Sequence, residues 1–446
     1  MKRFWLVLLS LGLVLAFSAQ AFAVDVKFSG SFYAAGMYLD KTNFLKDSGS
    51  DGISTAFYYQ RLRVQTDFVV SPGLTLITRF DALERAWGAA RTPAGTNVPS
   101  TASSDSMSAG TTAENENIAF DWVYINYVSP IGTFRVGYMN DSAWGTPFMD
   151  TSLPRGKVAW SNTTGHWFYT LQIVKITDKS YTAKNSTITT TTDTDSDKYV
   201  AAVRYTWKDG QAGLLGGMGR DATPRPASNY SALFYTLQPY AIAQFGPVKV
   251  QAELDYFWGT WKKMESGSGD VTLSDLAFFV DATADFGRFY AGATIAYVSG
   301  DDLATGDKQE GFKGLVDGGK DWNPCLIMFN DDRSYWSGSL AGYDSTNLDS
   351  AMYNAWFGQI RGGVRPIAAL DLMASVSYAA ADKKPSGILN STYGYEVDVT
   401  GTYKITNNLS YMLGVGYLFT GDYFKGATTN SVKDNYLLIN KLTLTF

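Results

Sequence analysis

A chain of 446 residues with one cysteine, Cys325, and one histidine, His166, lacks the usual material for redox or metal chemistry. A lone cysteine forms no internal disulfide, even in a chain exported through an oxidising compartment. One imidazole supplies neither a multi-histidine metal site nor a triad, and no Ser or Asp partner stands at a recognisable spacing from His166. Beyond residue 23 there is no apolar run of the roughly 18 or more residues that a spanning helix needs. Any membrane address must then be met by strands closed on themselves, because lipid cannot satisfy an open sheet edge. Basic residues are not in excess: 37 Lys and Arg stand against 42 Asp and Glu, for a net charge of −5, which is a poor match to nucleic acid. No linker or repeat starts a second core.

What the chain does have is aromatic side chains, 28 Tyr, 26 Phe and 12 Trp, and a period of two. Residues 1–23 carry Lys2 and Arg3, the apolar run Phe4 to Phe17 and the small-x-small site Ala21-Phe22-Ala23, a secretory signal expected to be removed before Val24. Its loss would take the net charge to −7. At the other end, Leu438, Leu442, Leu444 and Phe446 fall on one face of a strand and Ile439, Lys441, Thr443 and Thr445 on the other.

Short junctions alternate with long polar ones. Pro, Gly or Asn mark tight turns at Ser71-Pro72-Gly73, Ser129-Pro130-Ile131-Gly132, Lys208-Asp209-Gly210, Phe245-Gly246-Pro247, Phe286-Gly287-Arg288, Arg365-Pro366-Ile367 and Thr406-Asn407-Asn408. Between them lie longer loops such as 88–115, 179–197 and 300–350. The pattern predicts strands near 25–40, 54–70, 74–87, 116–129, 132–140, 157–162, 166–178, 198–208, 211–220, 230–246, 248–262, 271–286, 288–299, 352–366, 369–381, 391–405, 408–423 and 431–446. That is an all-β fold, an antiparallel meander barrel of about eighteen strands occupying 24–446 as one domain. The weakest strand is 157–162, and about sixteen strands is the alternative. Parity agrees: Lys249, Gln251, Glu253 and Asp255 alternate with Val248, Val250, Ala252 and Leu254, and Glu396 and Asp398 alternate with Tyr395, Val397 and Val399. A soluble two-sheet sandwich would alternate in the same way, so the two chain ends decide between them.

Arginines cluster early, Arg61 and Arg63 on the second strand, Arg79 and Arg85 on the third and Arg135 on the fifth, each with inward parity. After the fifth strand, Asn140 to Lys157 carries Asp141, Trp144, Gly145, Pro147, Phe148, Asp150, Pro154 and Arg155. With the terminal Leu442-x-Leu444-x-Phe446, this loop resembles features of bacterial outer-membrane general diffusion porins, most similar to the homotrimeric porins of sulfate-reducing bacteria. The resemblance implies an inward-folded constriction loop whose Asp141 and Asp150 face Arg61, Arg63, Arg79 and Arg135, creating a transverse field. It further implies a trimer packed through the earliest strands, with loop 88–115 reaching a neighbour, in a bilayer bearing lipopolysaccharide. Short acidic sequences typical of enteric porins are missing from the loop.

The expected function is passive diffusion of small hydrophilic solutes and ions, without enzyme chemistry or cofactor. One rival is a substrate-selective channel, sugar- or anion-specific, with Trp122, Tyr124, Trp144 and Phe148 supplying part of an aromatic track. Another is a non-conducting structural or receptor barrel acting through loop 300–350. Three look-alike motifs are set aside. Gly213 to Gly219 lacks the helix and lysine of a phosphate loop. Asp193, Asp195 and Asp197 imitate a calcium loop, but Lys198 replaces its glycine. Asp301, Asp302, Asp307 and Glu310 read as a solvated acidic loop.

Overall fold

The computed structural model describes residues 24–46, 52–88, 118–179, 193–267, 269–311, 315 and 317–446. The expected signal segment and most of loops 88–115 and 179–197 lie outside the described residues. Eighteen long strands follow one another: β1 Asp25–Leu39, β2 Thr55–Ser71, β3 Leu74–Ala86, β4 Ala119–Ser129, β5 Gly132–Asp141 and β6 Leu153–Thr164. They continue as β7 Trp167–Thr177, β8 Ser196–Trp207, β9 Gly210–Asp221, β10 Tyr230–Phe245, β11 Val248–Met264 and β12 Val271–Asp285. The last six are β13 Phe289–Val298, β14 Ala355–Ile367, β15 Leu370–Ala381, β16 Thr392–Lys404, β17 Leu409–Thr420 and β18 Asn435–Thr445. The weakest expected strand, 157–162, is the centre of β6, so eighteen holds and sixteen does not.

Each strand pairs antiparallel with the next, and β18 returns to β1 in register from Ser31 opposite Thr445 to Leu39 opposite Leu437. Gly30 and Phe446 exchange both backbone hydrogen bonds, at 2.8 and 3.0 Å. The sheet is therefore a closed cylinder without an edge, the only strand architecture whose backbone is fully satisfied in lipid. Tight turns close one end, as at Gly246 and Gly287, whose φ values of 58° and 80° suit a residue without a side chain. His166 sits in such a turn between β6 and β7, its ring against Tyr205.

The outer wall is a band of aliphatic side chains between two aromatic belts. Leu171, Ile173, Leu254, Val280, Ile295, Val376, Val397, Leu413 and Leu442 are exposed in the band. Toward the tight turns lie Trp167, Tyr205 and Trp207, with Trp167 and Tyr205 4.8 Å apart. Toward the long loops lie Tyr256 with Trp258, Tyr297 with Trp356 and Tyr378 with Tyr395. Exposed apolar surface on this scale has no place in water, and two amphipathic belts around it match the two interfaces of a bilayer. The terminal strand follows its parity: Leu438, Leu442, Leu444 and Phe446 are exposed and Ile439 is buried. On β9, Gly219 and Gly213 lie against the rings of Phe234 and Tyr240, where a Cβ would come within 2.2 and 2.5 Å. The glycine-rich run is thus a close-packing device.

Loop 299–354 overturns an expectation. It is not a projecting polar loop, because Ile327, Met328, Leu340 and Met352 are completely buried and Trp336 and Leu348 are 1% exposed. The apolar run Cys325 to Phe329 finds no lipid or solvent role and folds into the cylinder.

Candidate functional site

Two inner loops shape the lumen. The first, residues 142–152, leaves β5 and crosses to the opposite wall. There the Trp144 indole N–H donates to the Gln238 carbonyl of β10 at 3.0 Å, and the Thr146 amide donates to the Glu253 carboxylate of β11 at 2.7 Å. Gly145 is needed between them: its φ is 79°, and a Cβ would lie 2.8 Å from Glu253 Oε2. Phe148, fully buried, stacks on Phe279 of β12 with centroids 5.3 Å apart and meets Trp322 of the second loop edge-on.

The second inner loop, 299–354, is zipped to the first through the Met149 amide on the Gly318 carbonyl at 3.1 Å and the Ser152 hydroxyl on Asp321 at 2.7 Å. Its apolar run is anchored on β16: the amides of Ile327 and Met328 donate to Glu396 at 2.6 and 2.7 Å, and that of Leu326 to Asp398 at 3.3 Å. The short helix Asp331–Ser337 begins at Asn330, whose side chain accepts from the Arg333 amide at 2.8 Å. It carries Trp336 onto Tyr59 of β2, 4.5 Å between rings, and Asp332 to Lys441 of β18 at 3.0 Å. Burial pushes the Arg333 guanidinium down to about 10, with the nearby Glu396, Asp349 and Asp331 opposing that fall.

The result is an asymmetric lumen. One cluster of buried apolar side chains covers inner faces of β11 to β18, β1 and β2 together with both loops, and takes in no residue of β4 to β9 among those described. The sector from β2 beyond Tyr59 round to β9 is polar instead. Arg63 forks onto Asp81 at 2.7 and 2.6 Å and shares Asp121 with Arg79, at 3.2 and 3.1 Å. The Arg79 guanidinium lies 3.4 Å over the Trp122 ring. Arg61 pairs with Glu84 at 3.5 Å, and Arg135 donates to Asn126 at 3.1 Å. Farther round, Arg204 of β8 lies over Phe168.

Three expectations need correction. Asp141 does not oppose the early arginines; it meets Lys198, Lys157 and Arg155 at 2.5, 3.6 and 4.0 Å, because it ends β5 beside β6 and faces the same wall. Asp150 turns back into its own loop, accepting from the Trp144 amide at 2.6 Å. Burial, with Asp321 close by, pushes its carboxyl up to about 7 against that hydrogen bond. Arg85 is paired with Gln60, on the side of the exposed Tyr58 and Trp87, because an irregularity at Leu83, φ 49°, shifts the parity of β3 beyond it. Lys157, Lys198 and Arg204 were missed as lumen cations, although their alternation with Val158, Tyr199 and Tyr205 could have revealed them. The acidic look-alike loops are paired with cations: Asp195 and Asp197 with Lys175, Asp302 with Lys383 and Glu310 with Lys308.

An eighteen-stranded closed barrel with lipid belts outside and two loops within has the architecture of bacterial outer-membrane channels. Neither a protein-family profile nor a curated protein matches the sequence. Solved structures do share the fold. Pseudomonas aeruginosa OccK2 (OpdF), in complex with glucuronate, matches with a TM-score of 0.53 at 12% identity over 95% of this chain and 97% of that one. Pseudomonas aeruginosa OpdK, with vanillate, matches at 0.52 and 12% over 94% and 99%. A BenF-like porin from Pseudomonas fluorescens Pf-5 matches at 0.52 and 11% over 94% and 99%.

Proposed function

We propose that this protein is a substrate-selective outer-membrane channel for small organic anions, carboxylates in particular. The observation that carries this reading is the asymmetric lumen: two loops fill the apolar half, leaving solutes the sector lined by Arg61, Arg63, Arg79, Arg135, Lys157, Lys198 and Arg204. Facing them are fewer carboxylates: Asp81, Glu84, Asp121 and Asp141 are each shared between or held by cations, and Asp67 accepts from Gln65. A carboxylate passing this wall exchanges water for guanidinium and ammonium donors in succession, while Trp122 and Phe168 give its organic part an apolar surface. Glucuronate and vanillate, held by two barrels of the same fold, are both carboxylates. General diffusion, the expectation from sequence, fits a lumen half occupied by protein less well. No reaction chemistry is needed; the gradient drives transport.

Planar-bilayer recording tests the proposal. In a salt gradient the reversal potential should report anion preference, and micromolar to millimolar glucuronate or vanillate should block conductance saturably. Cation preference, or carboxylates that leave conductance untouched, would overturn it.

A further inference from the structure

The anchor of the second inner loop has the donor set of a metal site. We propose that Cys325, Glu396 and Asp398 bind a zinc-like divalent ion that locks this loop to the barrel wall. The Cys325 sulfur and one oxygen of each carboxylate lie within 4.8 Å of one another, and all three residues are buried. Zinc bonds of about 2.3 Å to sulfur and about 2.0–2.2 Å to oxygen place an ion among such donors after a small contraction.

Two features beside the carboxylates leave room for a ligand. Asp398 Oδ1 is buried without a hydrogen bond of good geometry, and so is Ser375 Oγ, on the residue paired with Asp398 across β15 and β16. Ser375 is 3% exposed, so an unoccupied hydroxyl there is costly. On the other neighbouring strand, Gly416 stands opposite Asp398, and a Cβ there would come within 2.7 Å of Asp398 Oδ1 and 3.4 Å of Glu396 Oε1. Glycine keeps that side of the carboxylates open. Its φ is not in the left-handed region, so room rather than backbone freedom is what the glycine supplies.

The sulfur has polar neighbours on the barrel wall. Ser377 Oγ accepts from Gln359 Nε2 at 3.0 Å and lies 3.2 Å from Cys325 Sγ. The thiol donates that contact; once an ion displaces its proton, the Ser377 hydroxyl is free to turn and donate to the sulfur, an outer donor of the type that orients metal ligands. The Glu396 and Asp398 oxygens that accept loop amides retain lone pairs for a metal. Formal charge also closes: thiolate and two carboxylates are balanced by the ion's two charges and the guanidinium of buried Arg333, which acts on Glu396. A soft sulfur among the donors selects zinc or cobalt over calcium and magnesium.

The test uses the full chain refolded into detergent with Co2+ and then freed of excess metal by gel filtration. One equivalent of cobalt should remain, with a thiolate-to-cobalt charge-transfer band that Zn2+ displaces. Cys325→Ser, checked as folded by its heat-dependent gel mobility, should lose the band, and Ser377→Ala should weaken binding by about 10–100-fold. A folded wild-type barrel that retains no metal overturns the proposal. So does retention that is indifferent to Cys325→Ser, which would mark an adventitious ion only. Neither result depends on which solute the channel passes.

Discussion

The two halves of the cylinder share one outer wall and have different interiors. From β11 round to β2 the inward side chains include Phe257, Phe279, Phe357, Tyr33 and Tyr59, and they pack against loop residues Phe148, Trp322, Met328 and Trp336 as an ordinary protein core would. From Arg61 of β2 round to β9 the inward positions carry guanidinium and ammonium groups held in ion pairs. A strand in a barrel must satisfy lipid on one face only, so the other face is free to be core in one sector and channel in another. The loops decide which, because a sector without a loop against it stays wet.

Breaking the filled half should have the largest effect. Phe148→Ala removes a fully buried ring from between Phe279 and Trp322 and should cost about 3–5 kcal/mol of loop docking. Single-channel recordings should then show a larger and noisier conductance, and an unchanged conductance would mean that the first loop does not confine the passage. The shared outer wall predicts equality instead. Leu254→Arg behind the filled half and Val136→Arg behind the open half should each cost about 2–4 kcal/mol in urea unfolding from lipid, since both side chains face outward. A large disparity would show that the inner core, and not the lipid face, sets local stability.

The open half is sharpened by charge. Replacing Arg63 and Arg79 together with Gln removes the fork on Asp81 and the shared hold on Asp121, leaving two carboxylates on the wall. Anion preference measured by reversal potential should fall several-fold or reverse, more strongly at low salt. The same exchange at Arg85, which is in register with outward Gln60, should leave selectivity as it was.

How much of this was legible in sequence follows from which residues carry a period. Strands were placed within a few residues because Lys249 to Asp255 or Tyr395 to Val399 alternate without interruption and tight turns punctuate them. Loop 299–354 has no period to read; yet Cys325 to Phe329 is an apolar run set in polar sequence, and that was the available sign of burial. Glu396 and Asp398 were read correctly as inward, but parity cannot say that an inward carboxylate faces loop amides and not water. Arg85 escaped for a similar reason, since one irregular residue at Leu83 reverses every parity after it.

The smallest expected effect lies where the halves meet. Asp150 holds the first loop in its bend, and burial raises its carboxyl to about 7. The docked loop therefore binds a proton more tightly than the undocked one. Below the usual carboxylate range both forms are protonated and pH has no influence; as pH rises from there through about 7, the undocked form loses its proton first and docking weakens, with no further change above. Channel flicker should accordingly increase between about pH 4 and about pH 7. Asp150→Asn, which can still accept from the Trp144 amide, should flatten that dependence while leaving the mean conductance near its low-pH value. Flicker that keeps its pH profile in the Asn variant would assign the titration to another group and leave the junction of the two halves insensitive to protons.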